Sequence, residues 1–83
     1  MNAISFELNN VGTHDFHLIE PHGERSTVRC GMTKTYSAQG NYSVEVNNVL
    51  VFIIHLLNGD CNITKRFDTA PEGTSAKVTT LMV

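Results

Sequence analysis

Eighty-three residues with a net charge of −2, six Lys plus Arg against eight Asp plus Glu, argue against the clustered basic surface that phosphate recognition needs, so nucleic acid is not an expected partner. A chain this short buries little more than ~60% of its unfolded surface, which makes self-association a ready source of extra stability. The longest apolar run, Val49 to Leu57 with His55 as its only polar member, falls far short of the ~20 residues of a spanning helix; the N-terminus, with no basic segment and apolar core, is not itself a signal peptide, so the protein is made without one or has lost it, and the reading is one domain over residues 1–83 with no assigned compartment.

Taken in order, residues 3–8 alternate with Ile4, Phe6 and Leu8 on one side and Ala3, Ser5 and Glu7 on the other, the period of a half-buried strand. Asn9-Asn10 breaks it as a turn. A second strand is expected from about Thr13 to Glu20, with Phe16 and Leu18 inward and Thr13, Asp15 and His17 outward, ended by Pro21-His22-Gly23. Strands follow over 26–30 and 33–38, then a turn at Gln39-Gly40-Asn41, strand 42–46, the pair Asn47-Asn48, and the long strand 49–57. Asn58-Gly59 predicts a type I′ hairpin into strand 60–67. Residues 68–74 read as loop and 76–83 as a last strand.

The chain also repeats itself. At an offset of 38, residues 5–19 and 43–57 share seven identities in fifteen positions (Ser5/Ser43, Glu7/Glu45, Asn9/Asn47, Asn10/Asn48, Val11/Val49, His17/His55, Leu18/Leu56), where composition alone gives roughly one. Four further pairs stay apolar. No window carries helical periodicity, and turn signals recur every ~8–12 residues. The expectation is an all-β fold, a small antiparallel sandwich or barrel of about 7–8 strands, built from repeats of about 3–40 and 41–83 related by a pseudo-twofold axis. Phe6, Leu8, Phe16, Leu18, Val44, Val46, Ile54 and Leu56 form the expected core.

The two copies differ where the second long strand becomes apolar on both faces: Gly12, Thr13, His14 and Asp15 correspond to Leu50, Val51, Phe52 and Ile53. Such a strand is buried on both faces, and a small two-layer domain has no second core to cover it. Val49, Val51, Phe52 and Ile53 are therefore the expected interface of a homo-oligomer. The 68–75 loop or the C-terminal strand folded over the same face within one molecule is the bland alternative. A membrane surface is disfavoured by the lack of flanking Lys, Arg and Trp.

Chemistry is weakly signalled. His14, Asp15, His17, Glu20, His22 and Glu24 form a local cluster of imidazoles and carboxylates, and Asp15, His17 and His55 are weak metal candidates. His14 and His17, three apart, fall on opposite faces of a strand, so ordinary solvated residues are the favoured reading and no cofactor is expected. Cys30 and Cys61 have no context that activates a thiol. The pairs Asn9-Asn10 and Asn47-Asn48 are first of all turn residues; read functionally, they are amide donors and acceptors for sugar hydroxyls, one site per repeat. The reading is a non-enzymatic binding or structural module, with a lectin-like or membrane-directed module of a toxin or adhesin as the alternative and a metal-dependent enzyme on the 14–24 cluster third. A protein or glycan partner beyond the chain itself is compatible with either of the first two.

Overall fold

The computed structural model describes residues 3–82. All regular structure among them is strand: β1 (Ala3–Asn10), β2 (Phe16–Ile19), β3 (Arg25–Val28), β4 (Thr33–Tyr36), β5 (Gly40–Val46), β6 (Val49–Leu57), β7 (Asp60–Lys65) and β8 (Ala76–Met82). They form two antiparallel sheets, β4-β1-β8 and β3-β2-β5-β6-β7. Both supply one buried cluster. All eight expected core residues lie in it at no more than 1% exposure, joined by Ala3, Val28, Tyr36, Tyr42, Val51 and Phe52. Phe6 of the three-stranded sheet meets Tyr42 of the five-stranded sheet edge-on at 4.9 Å and stacks on Tyr36 at 5.5 Å.

Turn chemistry explains the hairpins. Asn47 and Asn48 sit at φ 50° and 65°, and Asn58 and Gly59 at 54° and 82°, so each pair makes the two-residue turn whose left-handed backbone matches strand twist. Val46 then faces Val49, and Leu57 faces Asp60. The pair at the matching sequence offset, Asn9-Asn10, is not a turn: β1 runs through it. Asn10 is fully buried, with Nδ2 donating to the carbonyls of His14 (2.7 Å) and Val28 (2.9 Å) and Oδ1 accepting from Gly12 N–H (3.1 Å).

The reason is topological. β1 and β2 belong to different sheets, so residues 11–15 must cross between them, whereas β5 and β6 pair as a hairpin in one sheet. Thr13, His14 and Asp15 are loop residues on that crossing and not the outer face of a strand. Gly12 is there because the crossing presses against residues 73–75: a Cβ on it would lie 2.7 Å from Ser75 N and closer still to Gly73 O. Thr13 N–H and Val11 N–H bond the carbonyls of Gly73 and Ser75 at 3.0 and 3.1 Å.

Two register shifts change which side chains are inside. Between Ala3 and Ser5 the β1–β8 pairing slips, so Ala3 is buried and Ile4 is 48% exposed, the reverse of the expected alternation. Between Val44 and Glu45 the β5–β6 pairing slips as well: Val44 faces Phe52 and Glu45 faces Leu50, leaving Val51 as the extra residue of a bulge. Val51 and Phe52 consequently both enter the core. The bulged carbonyl is satisfied, since Val51 O accepts from Arg66 N–H at 2.6 Å.

Candidate functional site

Cross-strand pairing fixes what the five-stranded sheet turns outward. One row runs Arg25, Ile19, Ser43, Ile53, Thr64 across all five strands; a second runs Thr27, His17, Glu45, Leu50; a third runs Asn41, His55, Asn62. Along β6 the outward residues are thus Leu50, Ile53, His55 and Leu57. Ile53 and Leu57 are 36% and 39% exposed, while Leu50 and Ile19 are half-buried. The face is apolar over β6 and polar over β3, β2 and β5.

This revises the expected contact surface. Val51 and Phe52 are core residues with no exposed surface, and Val49, though 36% exposed like Ile53, faces buried Val46 at the hairpin tip, on the inner side of the sheet. Only Ile53 of the four stands on the outer face. Leu50 and Leu57 join it there; Leu57 follows from Ile53 by plain alternation, whereas Leu50 was hidden by a bulge that inserts one residue without any compositional mark and reverses the inward and outward assignments on one side of it.

The histidines are dispersed. His17 faces Glu45 and His55 faces Asn41, four residues apart along β5 and two strands apart across the sheet, a separation of roughly 16 Å. Asp15 sits before β2, where Oδ1 accepts the Cys30 N–H at 3.0 Å. His14 Nε2 donates to the Glu72 carbonyl at 2.9 Å, tying down the 68–75 loop, and His55 Nδ1 meets Asn41 Oδ1. Asp15, His17 and His55 are not brought together, and among the described residues no three His, Cys, Asp or Glu side chains are placed to hold a metal. Cys30 and Cys61 are free. They lie near opposite ends of β1, Cys30 beside the Gly31–Asn10 hydrogen bond and Cys61 beside the Ala3–Gly59 one, separated by roughly 20 Å against the ~7 Å limit of a disulfide.

One recess marks the polar half of the face. His17, Ile19, Arg25, Thr27, Glu45 and Asn48 line an open groove of about 400 Å³ over β2, β3 and the β5–β6 tip. The bulge opposite Glu45 steepens the twist there, and Asn48, at its left-handed turn position, becomes one wall. His17 Nδ1 makes a long contact of 3.5 Å with Thr27 Oγ1. Of the candidate residues read from the sequence, His17 and Asn48 both line the groove; Asn9 and Asn47 do not, and buried Asn10 has no free amide to offer. Arg25 and Thr27 have no sequence signature apart from strand alternation, and Glu45 stood out only as an identity of the repeat; it is the register that brings the three to one place. No family model, curated protein or solved structure matches this chain.

Proposed function

We propose that the protein is a non-enzymatic binding module that self-associates through the outer face of its five-stranded sheet, about the strip Leu50, Ile53 and Leu57. The observation that supports it is Ile53, an isoleucine 36% exposed on the strand next to the centre of a five-stranded sheet, where solvent-facing positions are ordinarily polar. Its neighbours in the row, Ser43 and Thr64, are small enough to leave it standing. Covering the exposed remainder of such a side chain contributes roughly 0.5–1 kcal/mol, so the strip supplies only a small part of the apolar burial of a tight interface. The association is accordingly weak and concentration-dependent. Ile53→Asp tests it by sedimentation: wild type should gain mass with concentration while the variant stays at 9.2 kDa with an unchanged melting temperature. A wild-type chain that remains a monomer to millimolar concentration contradicts the proposal.

We further infer that the 38-residue repeat records a duplication. Each copy supplies a central strand (β1, β5), then a hairpin of the five-stranded sheet (β2–β3, β6–β7), then an edge strand of the three-stranded sheet (β4, β8). The two central strands went to different sheets, which is why the links after them diverged.

The second reading is a lectin-like module, favoured by the groove at His17 and Asn48. Nothing comparable favours its membrane-directed form.

A further inference from the structure

We propose that the groove takes one acidic sugar, a monosaccharide-sized polyol bearing a carboxylate; the proposal rests on the lectin-like reading and names its ligand class. The volume, about 400 Å³, lies at the small end of the ~300–1,000 Å³ of ligand sites. Thr27, His17 and Glu45 stand side by side on three consecutive strands, spanning about 10 Å at the ~4.8 Å strand spacing. That is commensurate with one sugar ring and its substituents. The row offers a hydroxyl, an imidazole and a carboxylate, each able to exchange hydrogen bonds with ring hydroxyls, and the Asn48 amide adds a donor and an acceptor from the tip. Half-buried Ile19 gives an apolar flank for the C–H face of the ring.

Charge placement selects the acidic class. Arg25 is exposed on edge strand β3, its directly opposite cross-strand partner is Ile19 and not an acid, and among the groove's lining residues it is the one Lys or Arg, the group suited to pair a planar carboxylate. Glu45 lies two strands and one row away, roughly 12 Å, far enough to tolerate a single carboxylate at Arg25 while accepting from hydroxyls at its own end. A phosphate, with more charge and no hydroxyls for the Thr27–His17–Glu45 row, uses only one end of the site and is disfavoured by Glu45.

The test follows backbone amide resonances of the isotope-labelled full chain during titration with glucuronic acid, glucose and inorganic phosphate, on wild type and on Arg25→Ala and Glu45→Gln. Glucuronic acid should perturb amides of residues 17–19, 25–27, 45 and 48 at millimolar concentration. Arg25→Ala should weaken it about tenfold, the loss expected of a charge-assisted hydrogen bond, with glucose unaffected; Glu45→Gln should weaken both sugars. Arg25 is exposed and outside the core, so a well-dispersed spectrum of the variant shows that the fold is kept. Equal binding of glucose and glucuronic acid, indifferent to Arg25→Ala, keeps the lectin-like reading and overturns the acidic-sugar proposal. Tighter binding of phosphate overturns the proposal too, and no response to either sugar overturns both.

Discussion

Asn10 and Asn48 match at the 38-residue offset in sequence and do opposite work, which shows how far a residue's meaning depends on where its neighbours go. Asn48 holds a left-handed turn at φ 65°, a position glycine fills at no steric cost, so Asn48→Gly should change stability by less than about 0.5 kcal/mol. Asn10 joins the end of β1 to the crossing loop and to β3 by three hydrogen bonds. Asn10→Ala leaves the buried Val28 carbonyl and two part-buried backbone groups without that partner, costing about 2–3 kcal/mol, or a melting temperature lower by about 10–20 °C in a domain this size. Differential scanning calorimetry of the two variants measures the contrast. Tyr42 supplies a pH signature at the same scale: it is fully buried, its hydroxyl donates to the Ala38 carbonyl at 2.7 Å, and burial, reinforced by the Glu20 charge, pushes its pKa up from 10.0 to about 12. The unfolded chain then releases this proton first, so the contribution is complete below pH 10 and is lost as pH rises toward 12. Denaturant titrations across that window should show a fall in stability that Tyr42→Phe makes shallower.

At the scale of elements, periodicity and turn chemistry were legible and register was not. Strand 49–57, the Asn58-Gly59 hairpin and the eight core residues could be read because each rests on local spacing and burial, which the sequence carries position by position. The bulges at Ile4 and Val51 rest on which strand lies opposite, a non-local fact, and with them went the assignment of Val51 and Phe52 to an outer face. The crossing of β1 to β2 was missed for the same reason, although Gly12, with no room for a Cβ, was its trace. The groove was half legible: His17 and Asn48 stood out as residues, but only pairing brings Arg25, Thr27 and Glu45 beside them. The bulge makes a sharp prediction for two residues that simple alternation puts on one face. Val51→Asp places a carboxylate in the core and should leave the chain largely unfolded, a loss of about 3–5 kcal/mol or more, whereas Ile53→Asp should fold normally. Circular dichroism with denaturant separates them.

For the whole molecule, a three-stranded sheet and a five-stranded sheet share one core, and the larger sheet turns an apolar strip and a polar groove to the same side. If self-association covers the strip, the grooves of two copies lie at the rim of the contact, and two equivalent sites gain avidity for a repeating ligand. The central claim is that the β6 strip is that contact. It is tested most directly by a dilution series of the isotope-labelled wild-type chain with no ligand added, following each backbone amide from millimolar to micromolar concentration. The expected result is a concentration-dependent shift concentrated at Leu50, Ile53, Leu57 and the facing residues Ser43 and Thr64, absent in Ile53→Asp. Shifts confined instead to the edge strands β7 and β8, or spectra identical at every concentration, contradict it.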